Sequence, residues 1–192
     1  RLRNAGFSWL ALGIEAANDA VRADVQKAYG QELIYSSVDE IRSHGMNTIG
    51  NYIFGLPNDD LDSMQATLEL AIDLNCEFAN FYSAMAYPGS PLYQQALAAN
   101  WELPASWSGY SQHAFDTLPL PTRHLSAAEV LRFRDDAFTA YFTGERYLEL
   151  VRESFGGQAV EQIRRMTAHA LERQLLAGTA AAATAACQPL AP

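Results

Sequence analysis

The first apolar run, Ser8-Trp-Leu-Ala-Leu-Gly-Ile14, has the length of a strand. Its near-continuous apolarity predicts a strand buried on both faces, as in a helix-covered parallel sheet. A helical stretch follows, clearest from Gln31 to His44. There Ile34, Val38 and Ile41 recur with helical spacing, and Gly45 stands where a left-handed C-terminal cap belongs. Asn47–Phe54, "NTIGNYIF", predicts a second strand. Leu61, Met64, Leu68, Ala71 and Ile72 mark one face of a second helix. Glu77–Met85 reads as a third strand, and Pro91 sits early in a third helix. Strand–helix alternation of this kind predicts the α/β class, with parallel strands and right-handed crossovers.

Near Asn100 the pattern changes. Residues 101–124 hold three prolines, two tryptophans and no period, which predicts a long wrapping segment. Ser126 and Glu129 have capping-box spacing and open a helix to about Phe142. Leu148, Val151 and Phe155 give another helix, Gly156-Gly157 ends it, and Val160, Ile163, Leu171 and Leu175 predict a last one. The stretch 177–192 is Ala-rich and low in complexity, and reads as a disordered tail. The expected division is therefore 1–100, 101–176 and 177–192. Three strands leave a sheet edge open, so further strands are expected before Arg1.

Composition narrows the function classes. The chain has 192 residues, is 49% hydrophobic and carries a net charge of −9 from 22 acids and 13 bases. That balance predicts a packed core and disfavours a nucleic-acid surface. Apolar runs fall short of the roughly 18 residues a membrane span needs. The first residue is Arg1 and nothing resembles a signal peptide, so the expectation is a piece of a longer protein. Two widely separated cysteines, Cys76 and Cys187, make a disulfide framework unexpected and a cytoplasmic location the default.

The chemistry gathers where the predicted strands end. The first ends Gly13-Ile-Glu15, the second Gly55-Leu-Pro-Asn58, and the third runs on into Ala86-Tyr-Pro-Gly-Ser-Pro-Leu-Tyr93. Ligands of parallel α/β proteins sit at these carboxyl ends. Glycine lets a ligand approach the backbone and proline fixes the loop. Glu15 adds a carboxylate able to hold an ammonium or ribose hydroxyls. Taken singly, each feature is an ordinary turn or a capping acid. Three in order point to a site.

The stretches "RLRNAGFSWLALGIEAANDAV", "SHGMNTIGNYIFGLPNDDLDSMQATLELA" and "NFYSAMAYPGSPLYQQA" resemble three successive units of the radical SAM family, over about residues 1–97. The resemblance is closest to members that often carry an N-terminal cobalamin-binding domain. It implies parallel βα units forming half of a (β/α)6 partial TIM-like barrel, followed by a helical C-terminal extension. It implies S-adenosylmethionine as cosubstrate, a 4Fe–4S cluster with ligands outside this chain, and room for cobalamin. The implied chemistry is radical or methyl transfer to an unactivated carbon of a small-molecule substrate. The implied partners are the missing N-terminal barrel half and a cobalamin-binding domain of the same protein. The resemblance places Gly13 and Glu15 near the ribose or amino group, and Gly50, Tyr52, Ile53 and Gly55 along the adenine-facing strand. Ala86 and Tyr87 fall beside the adenine edge. It assigns no catalytic residue and no metal ligand here. Two departures stand out: Ala16-Ala17-Asn18 replaces Ser-Gly-Ser, and Asn58-Asp59-Asp60 replaces Gly-Glu-Thr.

Other residues read more plainly. Cys76 is expected as a small buried hydrophobe. His113, Asp116 and His124 match no short metal-ligand spacing and read as loop residues. Tyr82, Tyr87, Tyr93, Trp101 and Trp107 either line a pocket for a flat substrate or corrinoid, or anchor core and loops. Two rivals to the family reading remain: another TIM-like barrel enzyme with Glu15 as general base, and a non-catalytic scaffold. Since two cysteines cannot supply three thiolates, reconstituting this chain with iron and sulfide under reducing conditions is expected to give no cubane absorbance band. A cubane absorbance band from this chain alone would refute that.

Overall fold

A computed structural model describes residues 1–27 and 29–177, so the predicted tail, with Cys187, lies outside the described residues apart from Ala177. The elements in order are β1 (Trp9–Glu15), α1 (Asp19–Ala23), α2 (Gln31–Ser43), β2 (Asn47–Phe54), α3 (Leu61–Leu74), β3 (Phe78–Ser83), α4 (Pro91–Ala98), α5 (Ala127–Thr143), α6 (Glu145–Phe155) and α7 (Gly157–Thr167). The strands form one parallel sheet, ordered β1-β2-β3. The chain is thus α/β, with three parallel strands and helices. No helix among the described residues is long and apolar enough to cross a membrane.

Local chemistry sets the helix ends. The capping box at Ser126 is present: Glu129 N–H donates to Ser126 Oγ at 3.3 Å, and Ser126 N–H donates to Glu129 Oε2 at 2.8 Å. Asp60 and Ser63 form a second box at the start of α3. Ser90 caps α4, with Pro91 in its first turn. The Pro-rich stretch before α5 is irregular apart from a 3-10 turn at Trp107–Tyr110.

Helices α2, α3 and α5 bury one face of the sheet. Ile34 and Val38 of α2, and Met64, Leu68 and Ala71 of α3, pack with Tyr52, Phe54 and Phe81 of the strands and Tyr141 and Phe142 of α5. Phe54 and Phe81 stack with centroids 5.7 Å apart. Three expectations need correction. β1 is not buried on both faces: Trp9, Ala11 and Gly13 are exposed, because β1 is an edge strand covered on one side. Leu61 and Ile72 are exposed, and the buried stripe of α3 runs through Met64, Thr67, Leu68, Leu70, Ala71 and Leu74 instead. Helix α7 stops at Thr167, short of Leu171, and Leu175 falls in a separate helical turn at 174–177, because the chain turns to bring Arg173 back to α5.

Side chains close the outer edge of β3. The Gln112 amide accepts from Ser83 N–H at 2.9 Å and donates to Ser83 C=O at 3.0 Å, as a neighbouring strand would. Arg134 Nε donates to Phe81 C=O at 2.8 Å. Arg173 holds this arrangement together. It grips Asp135 with two bonds of 2.9 Å and donates to the carbonyls of Gln112 and Ala114, each at 2.9 Å. Beyond the edge, Leu120 N–H donates to Ala84 C=O at 2.9 Å, and Arg123 N–H to Pro57 C=O at 3.1 Å. The wrapping segment thereby crosses the ends of β3 and β2.

Arg173→Ala removes the donor of the Gln112 and Ala114 carbonyls while Asp135 keeps Arg134, and is expected to lower unfolding free energy by about 1–3 kcal/mol in urea titration. Gln112→Ala should cost about 1–3 kcal/mol and expose the Ser83 amide to hydrogen exchange. Unchanged exchange at Ser83 would contradict the edge closure.

Candidate functional site

The tip of β1 carries the least ordinary backbone. Glu15 has φ +66°, in the left-handed region that non-glycine residues seldom adopt. The register with β2 slips between Gly13 and Glu15, which is how a bulge re-aims a side chain. A Cβ at Gly13 would stand 2.5 Å from Glu15 Oε1. Glycine at 13 thus makes room for this protein's own carboxylate. The Glu15 side chain is 14% exposed, and its Oε1 lies 3.6 Å from Nζ of Lys27, the only lysine in the chain. Tyr29 donates its hydroxyl to Gly13 C=O. Lys27 and Tyr29 escaped sequence reasoning because they sit in an aperiodic connection.

Arg22 lies fully buried beneath this tip. It donates to the carbonyls of Ala16 at 2.6 Å and Ala17 at 2.7 Å, and pairs with Asp19. Ala17 N–H donates to Thr67 Oγ1 at 3.0 Å. Ala16 and Ala17 are themselves buried. The Ala-Ala departure therefore fills packed positions in this chain.

On β2, alternation decides which groups face outward. Tyr52 is fully buried on the helix-covered face. A Cβ at Gly50 would lie 2.7 Å from Tyr52 Oη, and one at Gly55, whose φ is +82°, 2.4 Å from Val130 Cγ1. Both glycines make room for neighbouring side chains. Burial pushes the Tyr52 hydroxyl well above its ordinary pKa. The other face carries a polar row in register, Gly13–Asn51–Asn80. Asn80 Nδ2 donates to Asn51 Oδ1 at 2.9 Å, and Asn51 Nδ2 to Leu12 C=O at 3.0 Å. Neither asparagine stood out in the sequence, since the row exists only once strands are aligned. Ile53 lies partly buried against Ala16, Val21, Leu56 and Ala84, an apolar plug under the strand ends. Beyond β3, Ala86 is buried and Tyr87 is 50% exposed.

The loop "GLPND" is built on Asp59. Its Oδ2 accepts the N–H groups of Gly55 at 3.0 Å and Leu56 at 3.1 Å, and its Oδ1 accepts the Ser63 hydroxyl at 2.6 Å. The adjacent Asn58 is clamped by Asp24, through N–H at 3.0 Å and Nδ2 at 2.5 Å. The second departure from the family pattern thus forms its own closed network. Cys76 is buried and its thiol is pushed up to about 11, chiefly by burial. Among the described residues no group of three or more His, Cys, Asp or Glu could hold a metal ion.

No family model matches the chain. An uncharacterized methyltransferase of Pyrococcus horikoshii is 22% identical over 77% of this chain and 31% of its own length. The heme chaperone HemW of Bacillus subtilis is 24% identical over 54% of this chain and 27% of its own. The anaerobic magnesium-protoporphyrin IX monomethyl ester cyclase of Rubrivivax gelatinosus is 29% identical over 48% and 17%. The chain is similar to members of the radical SAM family. It spans about a third or less of those relatives' lengths. Among solved structures, Escherichia coli coproporphyrinogen III oxidase (HemN), described as a radical SAM enzyme, is 24% identical over 51% of this chain and 27% of its own, with a TM-score of 0.43.

Burial raises the Asp59 carboxyl above its ordinary value, against the opposing hydrogen bonds from Ser63, Leu56 and Gly55. A raised folded-state value means the folded protein holds that proton more tightly than the unfolded chain. The ionised group then detracts from stability above its folded pKa, and the detraction fades as pH falls through it. Measured against Asp59→Asn, the parent chain should gain stability between about pH 7 and about pH 4. Asp59→Ala orphans two buried N–H groups and should cost about 1–3 kcal/mol in urea unfolding at neutral pH.

Proposed function

We propose that the strand ends bind S-adenosylmethionine and that the chain forms the C-terminal half of a (β/α)6 partial barrel with a helical extension. The observation that carries this is the Glu15–Lys27 pair at the tip of β1, next to the Asn51–Asn80 row. S-adenosylmethionine carries an ammonium, a carboxylate and two ribose hydroxyls. Glu15 offers charge for the first or acceptors for the last, and Lys27 offers a cation for the carboxylate. Backbone at Gly50, Gly55 and Ala86 would meet the flat adenine. The residues present therefore suit this cosubstrate.

They do not suit the cluster, whose ligands would come from outside this chain, and no step is routed through it. When activated, S-adenosylmethionine supplies a methyl group or a carbon radical. The work of this chain is to orient it and shield it from water. For the whole protein we infer radical or methyl-transfer chemistry on a small-molecule substrate, consistent with the methyltransferase and cyclase names of its relatives. Cobalamin and a domain to hold it rest on the sequence resemblance alone. The competing reading makes Glu15–Lys27 a structural ion pair in a non-catalytic scaffold.

Glu15→Gln separates the two. It keeps size and an acceptor but removes the charge. Titrated calorimetrically into the full-length protein, S-adenosylmethionine should bind the variant more weakly by about 1.5–3 kcal/mol, roughly ten- to a hundred-fold. Loss of thermal stability with affinity held within about twofold would assign Glu15 to structure instead.

A further inference from the structure

Beside the strand ends stands a group of aromatic rings that the core does not absorb, and it begins at Tyr87, the residue expected beside the adenine edge. Tyr87, just past β3, stacks on Tyr110 with centroids 5.8 Å apart and planes 28° from parallel. Trp107 continues the row against Tyr110, also at 5.8 Å, tilted by 45°. Trp107 is 77% exposed, more than any other large hydrophobic residue described, and Tyr87 is half exposed.

A mobile loop would fold such a tryptophan inward, and this turn is not free to do so. Gln112 locks it to Ser83 through two bonds. Leu118 N–H donates to Gly109 C=O at 3.0 Å. Gly109 packs so closely on Pro104 that an added Cβ would lie 2.7 Å from Pro104 Cβ. Ser106 and Ser108, the two neighbours of Trp107, both donate to Asp116 Oδ2, at 3.3 and 2.6 Å. The rings are thus held outward by hydrogen bonds made elsewhere in the turn.

Charge limits what can lie on them. None of residues 43–122 is Lys or Arg. The fixed charge next to Trp107 is the Asp116 carboxylate, kept ionised by the Ser108 and Ser106 hydroxyls, which hold its pKa below the ordinary value. The nearest guanidinium described, Arg173, is buried and paired with Asp135, so a polyanion on the rings would meet the Asp116 carboxylate first. A planar cation or electron-poor ring gains from the ring faces and from the carboxylate together.

We propose that Tyr87, Tyr110 and Trp107 form a stacking shelf for a planar, positively charged or electron-poor heteroaromatic ring of the substrate. Its place as a substrate subsite rests on the strand-end reading above. Its ring chemistry rests on the shelf alone.

Two planar probes test it in the 192-residue chain by equilibrium dialysis: 9-aminoacridine, a cation, and pyrenetetrasulfonate, a polyanion. The cation should bind one to one and the polyanion should not. Trp107→Ala should weaken cation binding about tenfold, and Asp116→Asn about threefold. Trp107 is exposed, so its loss should leave the circular dichroism spectrum and thermal midpoint in place. Tyr110→Leu gives an independent second removal from the shelf. Cation affinity within about twofold of the parent in both ring variants would overturn the proposal. So would equal binding of the polyanion, or shielding of Trp107 from acrylamide in the ligand-free full-length protein, which would mean that polypeptide covers the shelf. Glu15→Gln distinguishes the two readings. If it leaves cosubstrate affinity intact while Trp107→Ala abolishes probe binding, the cosubstrate assignment fails and the shelf stands.

Discussion

A parallel strand at the end of a sheet has backbone groups with nothing to bond, and this fold is organised around satisfying those of β3. Gln112 substitutes for a strand at Ser83, and Arg134 takes the carbonyl of Phe81. Neither side chain would hold its position alone. Asp135, shared by Arg134 and Arg173, fixes both guanidinium groups, and Arg173 in turn orders the carbonyls of Gln112 and Ala114. Groups distant in sequence thus form one network, and breaking a member leaves others buried without partners. The path of the wrapping segment over the strand ends, and the aromatic turn within it, follow from this closure.

The elements were legible where local chemistry decides them. The alternation of "NTIGNYIF" gave β2 with its observed bounds, and Ser126 with Glu129 announced α5. The ends of β1 and β3 differ by one or two residues, where ladders fray. The closure of β3 was not legible. Gln112 lies 29 residues from Ser83, and a glutamine that completes a sheet reads like any loop glutamine.

At the site, sequence located the strand ends and could not say what the glycines were for. Glycine signals that space is needed and is silent about who occupies it. At 13 the occupant is the Glu15 carboxylate, at 50 the Tyr52 ring, and at 55 the Val130 side chain. The face to which Tyr52 points depends on register with neighbours, as does the pairing of Asn51 with Asn80. Lys27 depends on how a connection without periodicity folds back.

Glu15 holds a backbone conformation that works against folding. The backbone there takes a conformation that glycine or asparagine would adopt at little cost, and that costs another residue about 1–3 kcal/mol. Neither of those replacements brings a charge. Selection for stability alone would push the position toward them, and a protein retaining an acid there gives up part of its folding free energy to do so. On the proposed reading of the strand ends, stability and ligand affinity draw the same residue in opposite directions.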